Sequence, residues 1–116
     1  MLLIANEIDN TTNALEGTPL VASLVPGRKG EGWFDIYLFF LESRTNELVQ
    51  MTYTAQTDSP RGGKWKDAVK VKSGQDKIVV DPTSDLFIVR HGKHNHVFAC
   101  IPDTVGYQDF PVPFLE

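Results

Sequence analysis

Three histidines fall within six residues, His91-x-x-His94-x-His96. Imidazole is a common ligand of zinc, copper and nickel and titrates near neutral pH. On an extended strand His94 and His96 share a face, and Cys100 has the same parity. The spacing matches none of the helical zinc motifs, and no neighbouring glutamate offers a general base. The plainer reading is a solvated hairpin tip whose surface contacts respond to pH, so no metal and no cofactor are expected. Trp65 follows Gly62-Gly63. Glycines allow close backbone approach, and an indole borne on a loop is accessible to a ligand. Trp33, Phe34, Tyr37, Phe39 and Phe40 crowd one short segment. They suit a core, or alternate members could line a pocket or stack on a flat or sugar-like ligand, with Trp33 among them. Arg61, Lys64, Lys66, Lys70 and Lys72 form a basic strip that fits an anionic ligand, an acidic partner or a solvated strand face.

Catalytic signatures are missing: there is no Gly-x-Ser-x-Gly, no phosphate loop, no His-Glu-x-x-His and no reactive-cysteine setting. Asp35, Glu42, Asp81 and Asp85 could each meet a histidine across a barrel mouth for acid–base work. The balance lies against an enzyme.

These residues sit in a chain of 116, the size of one domain. A net charge of -4 disfavours general attraction to nucleic-acid phosphates. Cys100 is the only cysteine, which excludes an internal disulfide, and its apolar neighbours suggest a buried small hydrophobe. Met1-Leu2-Leu3-Ile4-Ala5 has no basic leader and is too short for a signal peptide, and no run is long enough to span a bilayer. The sequence thus predicts a cytoplasmic chain, or one exported without a leader, with no membrane partner. Asn10-Thr11-Thr12 matches a glycosylation acceptor but reads as an idle loop.

Period two dominates the pattern. Leu20 to Val25 is a short apolar run between Thr18-Pro19 and Pro26-Gly27. Trp33 to Leu41 is almost all aromatic or branched and predicts a strand buried on both faces. Leu48 to Ala55 alternates, and with the Ser43–Asn46 turn it completes a hairpin. The stretch 57–64, with Asp58-Ser59-Pro60 and Gly62-Gly63, reads as a loop. Trp65 to Lys72 reads as a half-exposed strand with a lysine-rich edge. Lys77 to Val80 is another short strand. Leu86 to Arg90 and His96 to Ile101 flank a second turn. Pro111 and Pro113 confine the tail to an edge or an extended cover. No long helix is expected, and residues 6–16 offer at most one short turn. The fold class is all-β, one domain over 1–116, made of antiparallel hairpins. Two units, about 18–72 and 76–116, repeat a similar layout and suggest propeller blades; a small barrel or sandwich is the alternative.

Thr18-Pro19-Leu20-Val21-Ala22-Ser23, Phe34-Asp35-Ile36-Tyr37-Leu38-Phe39-Phe40, Asn46-Glu47-Leu48-Val49-Gln50 and Gly63-Lys64-Trp65 together resemble a blade of the fungal fucose-specific lectins. The resemblance covers about half of the chain. It implies a β-propeller that binds fucose through an arginine, a glutamate and an aromatic platform. Tyr37, or Asp35 in a shifted register, stands where the family carries the arginine. Gln50 stands at the glutamate, and Trp65 at the platform. A propeller needs several blades, so a chain of this length implies a ring of identical copies.

The leading expectation is a non-catalytic module for a carbohydrate or another small ligand, with Trp65, Tyr37, Gln50 and Trp33 as site residues. One alternative is a small β-barrel enzyme that isomerises or cyclises an apolar metabolite. The other is an oligomeric interaction protein with no small ligand.

Overall fold

The computed structural model describes residues 17–114. The possible helical turn at 6–16 lies outside them. Within them the protein is all-β, with ten antiparallel strands and no helix. They are β1 (Val21–Pro26), β2 (Trp33–Leu41), β3 (Leu48–Gln56), β4 (Ser59–Trp65), β5 (Val69–Lys70), β6 (Lys72–Ser73), β7 (Asp76–Lys77), β8 (Phe87–His91), β9 (His94–Ala99) and β10 (Gln108–Pro113). β1-β2-β3-β4 form the large sheet, and β5 adds to it along β3. β10-β9-β8 form a second sheet, and β6-β7 a small ribbon. The sheets do not close into a barrel.

The large sheet is built on the β2–β3 hairpin, in register from Trp33 opposite Gln56 to Leu41 opposite Leu48. Cross-strand partners share a face. One face therefore carries Asp35, Tyr37, Phe39 and Leu41 beside Thr54, Thr52, Gln50 and Leu48. Tyr37, Phe39, Leu41 and Leu48 join Val97, Ala99 and Val112 of the second sheet in one core. Ile78, Val80 and Leu86 pack into the same core from the connecting segment. Each fully buried large side chain contributes roughly 1.5–3 kcal/mol by leaving water. The opposite face is apolar as well. Leu38, Phe40, Val49 and Met51 form one buried cluster, and Ile36, Tyr53 and Ala55 another. β2 is thus buried on both faces, as its largely apolar run implies.

Two segments differ from the sequence pattern. Residues 59–65, with turn-like composition, form strand β4. Gly63 makes this possible, because a Cβ there would lie 2.6 Å from Tyr53 Cζ and 2.7 Å from Ala55 Cβ. Its glycine serves close approach of two strands, where the sequence suggested room for a ligand. The single strand expected over 65–72 is broken. Lys66 N–H still donates to Thr52 O at 2.8 Å, but pairing resumes only at Val69–Lys70.

The 71–81 segment then stitches the sheet end together. Leu48 N–H donates to Ile78 O, and Val71 N–H to Leu48 O, both at 2.9 Å. β10 is an edge strand paired only with β9, so the missing N–H groups of Pro111 and Pro113 cost no ladder bond. β8 lies beside β1, and Arg90 Nη1 donates to Leu24 O at 3.0 Å. Cys100 is half-buried rather than enclosed, and its N–H donates to Ser84 Oγ at 2.9 Å. No helix among the described residues is long and apolar enough to cross a membrane.

Candidate functional site

A cavity opens where two turns and the tail converge. It measures about 810 Å³ and is lined by Val25, Pro26, Gly27, Arg28, Arg90, Gly92, Lys93, His94, Pro113 and Phe114. Gly27 begins the β1–β2 turn at a φ of 81°, a backbone shape that favours glycine. That turn carries Arg28 to the cavity wall. Gly92 and Lys93 form the two-residue loop between the paired residues His91 and His94. Gly92 has a φ of 60°. Glycine at the first loop position lets the turn follow the twist of the strands. It places Lys93 and His94 opposite Arg28. Phe114 is fixed by its N–H, which donates to Lys93 O at 3.1 Å.

Arg28 is the hub. Its Nη1 donates to Tyr37 Oη at 2.9 Å and to Asp35 Oδ2 at 3.2 Å. Its guanidinium lies 5.7 Å from the Phe114 ring centre, and that ring stacks on Tyr37 at 5.5 Å. The Thr54 hydroxyl donates to the other Asp35 oxygen. Asp35 is therefore held on both oxygens, and its charge is matched locally. Arg90, Lys93 and His94 make no ion pair with a carboxylate among the described residues. The cavity thus joins an apolar wall of Val25, Pro26, Pro113 and Phe114 to a cationic rim.

A smaller cavity of about 340 Å³ adjoins, lined by Arg28, Lys29, Asp35, Thr54 and Lys66. Lys29 Nζ sits 3.8 Å from the centre of the Trp33 ring.

The structure does not bring the four residues expected from sequence into one site. Tyr37 is fully buried and meets the larger cavity through Arg28 and Phe114. Trp33 is half-buried and touches the smaller cavity through Lys29. Gln50 is buried on the core face, and its Oε1 has no hydrogen-bond partner among the described residues. Trp65 lies on the other face, packed against both apolar clusters and tilted against Tyr53 at 5.1 Å. Its Nε1 is buried without a partner among the described residues, and it lines neither cavity.

The histidines gather on the outer face of the second sheet, with rings 6.1 Å apart in the His91–His96 and His94–His96 pairs. Among the described residues no group of three metal-ligating side chains is arranged to hold an ion. His96 Nδ1 lies 3.0 Å from Asp109 Oδ1, so the carboxylate accepts from Nδ1 and leaves Nε2 as the basic nitrogen of the neutral ring. Three of the four carboxylates considered for acid–base pairing take other partners. Asp35 holds Arg28, and Glu42 lies 3.7 Å from Lys70. Asp81 accepts from the Thr83 N–H and hydroxyl, which hold its carboxyl below the ordinary range. Asp85 makes no ion pair with a histidine among the described residues.

The basic strip disperses too: Lys66 reaches the smaller cavity, while Lys70 is bound to Glu47 at 2.9 Å. Arg28, Arg90, Lys93 and Phe114 escaped the sequence reading because each looks like ordinary turn, strand-end or tail chemistry. The Pro26-Gly27-Arg28-Lys29 sequence, a tight turn carrying two cations, was the available signal.

No protein-family model matches the chain, and no curated protein or solved structure matches it significantly. The lectin resemblance rests on the sequence alone.

Proposed function

We propose that the protein is a non-catalytic binding module for a small organic anion, seated in the cavity between the β1–β2 and β8–β9 turns. One observation carries the reading. Arg28, Arg90, Lys93 and His94 line one opening beside the ring of Phe114, and no Asp or Glu lines it among the described residues. Concentrated cations in a partly desolvated cleft favour an anion more than the same charges on open surface. The apolar wall adds area for a ring or chain. This keeps the small-ligand expectation and moves it from Trp65 to Arg28.

Phenyl phosphate tests it, since it offers both a ring and an anion. Titration should show saturable binding, weakened about tenfold by Arg90→Gln with Lys93→Gln, the loss of two charge-assisted contacts. Trp65→Ala should leave it unchanged. Absence of binding overturns the reading. A sugar-dependent change in tryptophan fluorescence that Trp65→Ala abolishes would favour the lectin alternative instead.

Self-association is a second reading, favoured by the outer face of the second sheet. Phe87 and Val89 are exposed there, 52% and 54%, and Tyr107 packs edge-on against Phe87 at 5.3 Å. Exposed apolar patches of this kind often mark subunit boundaries. Sedimentation should show a concentration-dependent oligomer that Val89→Lys dissociates; a monomer at all concentrations would end this reading.

A further inference from the structure

The two cavities have Arg28 as a common wall. Beyond it the positive character continues. The one carboxylate in the smaller cavity, Asp35, is already held by Arg28 at 3.2 Å and by Thr54. Lys66 makes no ion pair among the described residues, and Lys29 rests over Trp33. Lys64 lies opposite Thr54 in register and so adds a further cation to that face of the sheet. Lining the smaller cavity, Lys29 and Lys66 thus set two ammonium groups against one carboxylate, Asp35, among the described residues.

We propose that the ligand carries two anionic groups, phosphate or sulfate, one on each side of Arg28. This deepens the small-anion reading and rests on it. The first group sits with Arg90, Lys93 and His94, and the second with Lys29 and Lys66. Tetrahedral oxyanions fit because their several oxygens accept from lysines and arginines approaching from different directions. Arg28 stays on Asp35 and Tyr37 as the wall between the two groups. The ligand class is thus a bis-phosphorylated or multiply sulfated small molecule.

Calorimetric titration of the full chain with inorganic phosphate, tripolyphosphate and sucrose octasulfate tests this. At least one polyanion should bind about tenfold or more tighter than phosphate, the gain expected from a second charge-assisted site. Lys29→Gln with Lys66→Gln should bring that ratio to about threefold or less while leaving phosphate affinity within about twofold. Arg44→Gln with Lys72→Gln, at the other end of the large sheet, should leave the ratio intact. The tighter polyanion identifies the group as phosphate or sulfate. An advantage that survives loss of Lys29 and Lys66, or falls equally with Arg44 and Lys72, overturns the second subsite. So does the lack of any advantage. Phosphate and phenyl phosphate binding without a polyanion advantage overturns this inference alone, whereas no binding of any of them overturns both.

Discussion

The β2–β3 hairpin carries a charged cluster at each end, and the two are built differently. At the Leu41–Leu48 end, Glu47 holds Lys70 at 2.9 Å and Lys77 at 3.6 Å, while Glu42 also faces Lys70. Two carboxylates meet two ammonium groups, and the cluster ties β5 and β7 to the end of the large sheet. At the Trp33–Gln56 end, Arg28, Lys29, Lys66, Arg90 and Lys93 line cavities that contain one carboxylate, Asp35, among the described residues. Nine residues of strand, roughly 26 Å of chain, separate the two. A balanced cluster with close partners is what structure alone requires. An unbalanced one facing an open cavity raises the energy of the empty protein through mutual repulsion, and an anion removes that repulsion. The contrast is the physical ground for proposing an anion site among Arg90, Lys93, Lys29 and Lys66.

The sharpest break of this comparison is Asp35→Ala. It takes the acceptor from Arg28 and Thr54 on the buried side of the sheet. Losing one partner of such a pair costs about 3 kcal/mol of unfolding free energy, at the low end for buried pairs because Arg28 stays partly hydrated. The same change removes the carboxylate from the smaller cavity, so tripolyphosphate should bind tighter. Stability and affinity should therefore move in opposite directions. Glu47→Gln, at the balanced end, should lower stability and leave anion binding as it was. Chemical denaturation alongside calorimetry checks both. A fall in affinity with Asp35→Ala, or a change with Glu47→Gln, would erase the distinction between the two ends.

A smaller effect is expected from pH, and it belongs to the balanced end. Hydrogen bonds from Lys70 and Thr45 hold the Glu47 carboxyl below its ordinary 4.5, against the cost of its burial. A depressed carboxyl contributes stability that is complete above its unfolded value and is lost as pH falls through its folded one. Lys70 is raised above 10.5, chiefly by its bond to Glu47. Its contribution is complete below 10.5 and lost as pH rises through the raised value. Stability should thus show a neutral plateau, falling below about pH 4.5 and above about pH 10.5. Lys70→Met should lower the plateau and flatten both limbs. Some acid slope should remain, since Thr83 still holds Asp81 low. Thermal melts across pH measure this, and an acid limb as steep as in the parent protein would remove Glu47 and Lys70 from the account.

Much of the fold is legible in the sequence, and the reason is burial. β2 and β3 announce themselves because every side chain from Ile36 to Leu41 and from Leu48 to Tyr53 enters one apolar face or the other, apart from the buried Gln50 and Thr52. The edge position of the tail follows from two prolines. β4 was illegible because glycine signals a turn in composition, and only the structure shows Tyr53 and Ala55 filling the space a side chain would need. The cavity was illegible for a different reason. Its lining comes from residues 25–28, 90–94 and 113–114, segments that no period or spacing connects. Only the packing of β8 against β1 and the stack of Phe114 on Tyr37 bring them together. Trp65 stood out in sequence because an indole beside glycines looks exposed, whereas its ring is taken up by the apolar face of the sheet.

The smallest predicted effect concerns the middle of the hairpin, between the two charged ends, where Gln50 stood as a ligand residue. Its side chain faces Phe39 across the strands and lies on the core side of the sheet. Only 2% of the residue is exposed, and its carbonyl oxygen has no partner among the described residues. An amide oxygen in that state has lost its water without gaining a hydrogen bond, which costs free energy in the folded state only. Met has nearly the same length and no such demand, and its flexible chain adapts to the gap. Gln50→Met should therefore raise the unfolding free energy by about 1 kcal/mol, the gain from removing one unpartnered buried polar group. Binding of phenyl phosphate should not change, because the residue lines neither cavity. A loss of stability would mean that Gln50 takes part in a polar network. A loss of binding would return it to the site that its place in the sequence first suggested.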